Sequence, residues 1–177
     1  TETIVGVPVR SYENRTASLA SGRDGSHYLV ICAKDCVVSV CLERRSSVQV
    51  PYPEGEAGFA YSSLPSSRGM VYTGAGKWFF EFDPSRGEFL RSCPVSTDGC
   101  AAFSLAEGDD GCIWFANYPD CSLYRYDPAT GRCEVVARLD ESEKYPQSLV
   151  FDPAGWVYAG VGSERAAVHG FCVRTGQ

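Results

Sequence analysis

A glycine, two further residues and then a large aromatic return four times along this chain. The copies are Gly25-Ser-His-Tyr28, Gly69-Met-Val-Tyr72, Gly111-Cys-Ile-Trp114 and Gly155-Trp-Val-Tyr158, with steps of 44, 42 and 44 residues between the glycines. A second phrase keeps the same beat: Phe82-Asp-Pro-Ser-Arg-Gly87, Tyr126-Asp-Pro-Ala-Thr-Gly131 and Phe171-Cys-Val-Arg-Thr-Gly176. A fixed repeat of this length with strand-like content predicts an all-β chain of β-propeller blades, each a four-stranded antiparallel sheet. The third unit shows the order of signals. Ala101–Leu105, Cys112–Phe115, Ser122–Tyr126 and Cys133–Leu139 read as successive strands, and Glu107–Gly111, Asn117–Asp120 and Asp127–Gly131 as turns.

The phase of the ends adds an expectation. The last unit stops at Gln177 after its third strand. The first segment, Glu2–Val9, has the pattern that follows a Thr-Gly turn, as in Glu88–Val95. The N-terminal strand is therefore expected to complete the last blade, giving four blades in a single domain over 1–177. Such a chain either closes as a four-bladed ring or forms an arc of a larger one.

The net charge of −6 and the lack of any Lys/Arg cluster argue against a nucleic-acid partner. Apolar runs of four to six residues are far short of the roughly twenty a membrane span needs. Nine cysteines fall at irregular offsets within the units and in no zinc-like pairing. They are expected to be mainly small buried hydrophobes in a reducing, cytoplasmic setting, with one or two opportunistic disulfides as the alternative.

The phrases Tyr126-Asp-Pro-Ala-Thr-Gly131 and Phe151-Asp-Pro-Ala-Gly-Trp-Val-Tyr158 resemble blades of the broad virginiamycin B lyase-like (streptogramin lyase-like) propeller group, and those of NHL and quinoprotein-like propellers. The resemblance covers nearly the whole chain and rests on turn and core residues, so it implies fold more than activity. The Gly-His…Trp-Asp pairing of WD40 blades, the double glycine of kelch blades and the docking tryptophan of quinoprotein blades are all absent. Lyases of the streptogramin type hold a magnesium ion with a histidine and acidic residues across the channel, and this chain has two histidines. His27 takes the slot of Val71, Ile113 and Val157, and His169 that of Phe80 and Tyr124, so both are expected to pack in strands rather than act. No metal or cofactor is expected.

In a propeller the loops entering the innermost strand and those joining the second and third strands gather at one channel mouth. The residues expected to meet a ligand there are Arg15, Glu56, Asp98, Asn117, Tyr118, Lys144, Tyr145, Gln147 and Arg165. This mixture of charges and tyrosines suits a non-catalytic module or scaffold for a protein, peptide or saccharide. The competing expectation is a lyase or hydrolase acting on a carbohydrate or lactone, with a Tyr-plus-cation pair as base. A homodimer, or association with further blades, is the expected higher-order partner. Trp78, Phe80 and Phe82 alternate along one strand and are expected in the core between blades.

Overall fold

Each glycine of the repeated phrase has a positive φ, from +74 at Gly111 to +87 at Gly155. Its N–H donates to the carbonyl three residues back, as in Gly69 to Ser66 and Gly111 to Gly108. This is a tight hairpin turn ending in a left-handed residue, a conformation that costs glycine nothing. The strand restarts at once, which lands the aromatic three residues on at a fixed height and on a fixed side. The Asp-Pro phrase closes the next outward hairpin. The N–H groups of Gly87 and Gly131 donate to the carbonyls of Asp83 and Asp127 at 2.9 and 2.7 Å. The Asp83 carboxylate accepts from the N–H groups of Ser85 and Arg86.

The structure, a computed structural model, describes residues 13–53 and 58–177. Within them lie four antiparallel sheets and no helix. The first contains β1 (Asn14–Ser21), β2 (His27–Ala33), β3 (Cys36–Cys41) and β4 (Ser46–Pro51). The second contains β5 (Ser63–Pro65), β6 (Val71–Ala75), β7 (Trp78–Asp83) and β8 (Glu88–Pro94). The third contains β9 (Cys100–Glu107), β10 (Ile113–Tyr118), β11 (Ser122–Asp127) and β12 (Arg132–Arg138). The fourth contains β13 (Pro146–Asp152), β14 (Trp156–Val161) and β15 (Ala167–Cys172). Strands lie in chain order within every sheet. The expected contribution of Glu2–Val9 to the last sheet falls outside the described residues.

Consecutive sheets stack face to face. β1 packs on β5, β5 to β7 on β9, and β9 and β10 on β13. Each sheet thus has a leading face toward its predecessor and a trailing face toward its successor. Period-two alternation sends Tyr28, Val30 and Cys32 to the trailing face of the first sheet, where they meet Val71, Phe80 and Phe82 on the leading face of the second. The next junction joins Tyr72 and Phe79 to Ile113, Phe115 and Tyr126. The last joins Trp114, Ala116 and Leu123 to Val157, Ala159 and Phe171. Phe80 and Phe82 are core residues between sheets as expected, with Trp78 packed against them.

The middle junction is the most aromatic. The rings of Phe79 and Phe115 stack across it with centroids 4.3 Å apart, and Phe115 stacks on Tyr124 at 5.2 Å. One buried carboxylate serves it: the Tyr126 hydroxyl donates to Glu81 Oε2 at 2.5 Å and the Tyr72 hydroxyl to Oε1 at 3.3 Å. Burial and the facing carboxylate push both phenols well above their ordinary range. All nine cysteines are unpaired, and all but Cys133 are buried. At Gly74 the backbones of two sheets nearly touch, since a Cβ there would lie 2.2 Å from the Ala101 carbonyl oxygen.

Replacing Phe79 by Ala empties the centre of that junction and is expected to cost roughly 3–5 kcal/mol of folding stability. Urea denaturation should show a lowered midpoint with an unchanged slope. A loss under 1 kcal/mol would mean the stacked rings are not central to packing.

Candidate functional site

At one end of the sheets, the entry segments of the first, third and fourth units are tied to the turn between the second and third strands of the same unit. The Lys34 N–H donates to the Glu13 carbonyl in the first unit. In the third, Thr97 Oγ1 lies 2.9 Å from both the Tyr118 carbonyl and Asp120 Oδ1. In the fourth, the Gly162 N–H donates to the Tyr145 carbonyl at 3.0 Å. The two loop sets therefore do gather at one mouth.

Aromatic rings line this mouth in a continuous row. Phe59 meets Tyr61 edge-on at 6.5 Å, Tyr61 meets Phe103 at 5.1 Å, and Phe103 meets Tyr118 at 5.8 Å and Tyr145 at 6.0 Å. Tyr118 and Tyr145 are 4.7 Å apart, and the Tyr145 hydroxyl approaches that of Tyr118 at 3.5 Å. The Arg15 guanidinium caps the other end, 4.3 Å from the Phe59 centroid and 4.9 Å from that of Tyr61, with the Lys34 ammonium 5.7 Å from Phe59. The rings come from the second, third and fourth units, and Arg15 joins the first sheet to them.

The Tyr118–Tyr145 end opens into a cleft of about 800 Å³ that also carries Lys144, Glu143, Glu164 and Arg165. Two carboxylates hold its walls. Glu143 accepts from the N–H groups of Ser163 at 2.9 Å and Arg165 at 2.6 Å, and these bonds draw its pKa down. Asp140 Oδ1 accepts from the N–H groups of Ser142 and Glu143, while Oδ2 lies 3.4 Å from His169 Nε2 and 3.7 Å from Arg165. The backbone N–H groups of Glu143 and Ser142 lower the Asp140 pKa to about 2. Tyr145 shifts upward because of its contact with Tyr118. The bonds from backbone N–H groups favour the ionised carboxylates, and the contact with Tyr118 favours the protonated phenol.

The expected ligand residues are distributed unevenly. Tyr118, Lys144, Tyr145 and Arg165 surround the cleft, and Arg15 stands at the far end of the aromatic row. Asp98 is exposed, 3.8 Å from Lys77, in a neighbouring cleft with Thr97 and Asp120. Gln147 lines a different depression with Ser148, Gly160 and Val168. Asn117 is corrected from a turn residue to the buried end of β10, where its Oδ1 accepts from the Ala102 N–H at 3.0 Å. That bond supports Ala102 at its unusual φ of +49 and leaves Asn117 unable to face a ligand. Glu56 lies outside the described residues. Phe59, Tyr61 and Phe103 were not expected. Their signal is phase, because Arg15, Phe59 and Tyr145 each stand ten residues before their own unit's glycine, and Tyr61 and Phe103 eight before theirs.

His27 is also corrected. It starts β2 in the slot of Val71, Ile113 and Val157 but is exposed, with Nδ1 2.8 Å from Glu43 Oε1, because no described sheet stands in front of the first. His169 is half-buried on β15 against Asp140, a packed strand position as expected. Among the described residues no three His, Cys, Asp or Glu side chains are grouped to hold a metal ion.

No family model and no curated protein sequence matches the chain. Solved structures do. The WD40 repeats of RRP9 superpose with a TM-score of 0.71 at 14% identity, over 95% of this chain and 51% of that one. A catalytically inactive virginiamycin B lyase from Staphylococcus aureus, solved with quinupristin, gives 0.70 at 9% identity, over 95% and 58%. Hydrazine synthase of Kuenenia stuttgartiensis gives 0.67 at 17% identity, over 99% and 51%. The fold is that of a β-propeller. It resembles the streptogramin lyase group, and it is shared with WD40 proteins despite the missing WD40 phrase. The chain spans about half the length of the solved propellers it matches.

Asp140 makes stability pH-dependent with a fixed sign. Its carboxyl falls from an ordinary 3.8 to about 2 in the folded protein, so the stabilisation is full above about pH 4 and disappears as pH falls toward 2. Asp140→Asn should lower the thermal midpoint at pH 7 and flatten its decline between pH 4 and 2. A variant that keeps the wild-type slope in that interval would remove Asp140 from this role.

Proposed function

We propose that this chain is a non-catalytic binding module, an arc of propeller blades that takes a protein segment along the aromatic row at its mouth. One observation carries the reading: five rings from the second, third and fourth units run in unbroken contact from Arg15 of the first sheet to the Tyr118–Tyr145 cleft. Tyrosine and arginine supply large contact area with few rotatable bonds and dominate the strongest positions of protein interfaces. Lys144, Glu164 and Arg165 around the cleft would select polar side chains of the ligand. The lyase or hydrolase reading gains no support from these three groups, since Tyr145 is shifted upward and Glu143 and Asp140 accept from backbone N–H groups. The structural neighbours include the WD40 repeats of RRP9 as well as a lyase and a synthase, so the fold is compatible with either class and the mouth has to decide.

The finer architecture belongs to the same proposal. The four sheets are read as blades of an open arc, because successive sheets pack in chain order while hydrophobic side chains on the outer faces of the first and fourth stay exposed. The buried thiols suit a reducing compartment, which supports a cytoplasmic site of action.

Selection from a displayed random-peptide library gives the test. Tyr118→Ala and Tyr145→Ala should each weaken the selected peptides at least tenfold, while Glu88→Ala on the distant β8 should not. Peptides indifferent to both tyrosines would sink the mouth as the site. Turnover of a uronate or lactone panel, lost on the same substitutions, would replace the binding reading with the enzymatic one.

A further inference from the structure

Two of the nine cysteines meet across the aromatic junction. Cys93 on β8 stands opposite Phe79, and Cys133 on β12 stands opposite Tyr126. Directly opposed residues of a strand pair share a face. The rings of Phe79 and Tyr126 lie 5.0 Å apart across the boundary between the second and third sheets, so the two thiols beside them face one another there. The outer strands are drawn together at this point. Arg91 on β8 donates to the Pro128 carbonyl at 2.6 Å, and the Cys93 Sγ lies 3.8 Å from the carbonyl oxygen of Gly131, just before Cys133 on the chain. The Cys133 thiol in turn donates to the Cys93 sulfur.

Nothing in the stacking calls for sulfur at these positions. The strand registers place Val48 of the first sheet and Ala137 of the third in the slot of Cys93, and Phe89 of the second sheet in that of Cys133. Val48 leans on Gly87 as Cys93 leans on Gly131, since a Cβ at Gly87 would fall 2.6 Å from the Val48 Cγ1. The preceding junction thus meets the same demand with valine and phenylalanine, and the middle one has a thiol on both sides. This rim of the stack is open to solvent: Val48 is 44% exposed, and Cys133 is half-buried, unlike the eight other cysteines. The two thiols also differ in acidity. The hydrogen bond from Cys133 and the Arg91 guanidinium favour the Cys93 thiolate against its burial, whereas the same bond and burial hold Cys133 protonated. Burial pushes Cys32, Cys100 and Cys112 up to about 12. Cys172 is shifted down, but by Thr175 and Arg174 rather than by a second thiol.

We propose that Cys93 and Cys133 form a redox-sensitive dithiol, oxidised by a hydroperoxide to a disulfide that staples the second sheet to the third. The Cys93 thiolate attacks one peroxide oxygen, the O–O bond breaks, and hydroxide leaves as the sulfenic acid forms. That hydroxide takes up the proton Cys93 gave up on ionising. The Cys133 sulfur then attacks the Cys93 sulfur, the S–O bond breaks, and the departing oxygen leaves as water with the Cys133 proton. Two thiols have lost two electrons and two protons, and hydrogen peroxide has become two waters. A thiol reductant reverses the bond by exchange. In the reducing compartment proposed above the dithiol is the resting form, and a rise in peroxide closes it. The closed form ties β8 to β12 covalently, across the junction where Tyr61 meets Phe103 at the mouth.

Peroxide treatment of the folded 177-residue chain tests this. One equivalent of hydrogen peroxide, quenched with N-ethylmaleimide, should lower the free thiols counted in urea from nine by two. Peptide mapping should give one cross-linked pair carrying Cys93 and Cys133, and dithiothreitol should restore all nine thiols. In Cys133→Ser the same dose should leave a sulfenic acid on Cys93 that dimedone traps. In Cys93→Ser it should leave Cys133 a thiol. Circular dichroism checks that both variants fold, and the mapping on the wild type stands whether or not they do. The oxidised wild type should unfold at higher urea, with its folding equilibrium constant raised roughly a hundredfold. Nine free thiols after treatment, a bond between two other cysteines, or a bond that forms only in the urea-unfolded chain would each overturn the proposal. So would a C93S chain that still loses two thiols at that dose. A urea midpoint unchanged or lowered by oxidation would show that the bond distorts the junction, and the staple would fall.

Discussion

Everything in this fold depends on the stacking of one two-faced sheet on the next. A β-strand sends alternate side chains to opposite sides, and here both sides of the second and third sheets are apolar. Each of those sheets therefore needs a partner on both flanks. The junction between the second and third sheets shows how specific the solution is. Phe79 and Phe115 stack at 4.3 Å, and beside them Glu81 takes the hydroxyls of both Tyr72 and Tyr126. A buried carboxylate without donors would be costly, and two phenols without an acceptor would each lose a hydrogen bond. Together the three satisfy one another across the sheet boundary and fix its register.

The same stacking produces the mouth. Because β1, β5, β9 and β13 are the entry strands and pack on one another in sequence, side chains at the same phase in successive units become neighbours in space. A ring placed there in one unit meets a ring from the next, and the row from Phe59 to Tyr145 follows. Glu143 and Asp140 are not part of the recognition surface in this account. Their oxygens are occupied by N–H groups of the loops they brace, which is why their pKa values lie low. What they provide is a fixed cleft wall for the side chains that do face outward.

Fold and phase were both legible in the sequence, since glycines at positive φ and Asp-Pro turns are local requirements that only a few residues meet. The four strands of the third unit lie where the turn signals put them. The candidate site was legible only in part. Tyr118 at the end of β10 and Lys144, Tyr145 and Arg165 on the adjoining loops converge because they stand at or beside turns, and turns can be assigned from local chemistry. Asn117 looked like the first turn residue but lies within β10, one residue before its end, where its side chain accepts from the Ala102 N–H. Phe59, Tyr61 and Phe103 carried no local signal and acquire meaning only when units are superposed. His27 was assigned to the core by an argument that holds for interior sheets and fails for an end sheet, where the slot has nothing to pack against.

That distinction also explains why the fold has clear counterparts among solved structures while no family model and no curated sequence matches. Stacking asks for an apolar side chain of suitable size at alternating positions and for a left-handed residue at each hairpin. Valine, cysteine, phenylalanine, tyrosine and tryptophan all satisfy the first demand at equivalent slots within this one chain: Val71 and Ile113, Tyr72 and Trp114, Phe79 and Leu123. If four units of a single protein can differ this much while stacking on each other, separate proteins can drift to 9–17% identity and keep the same fold. Identity at the stacking positions therefore carries little information about function. The informative positions are those where the repeat departs from its own rule, as the aromatic side chains gathered at the mouth do.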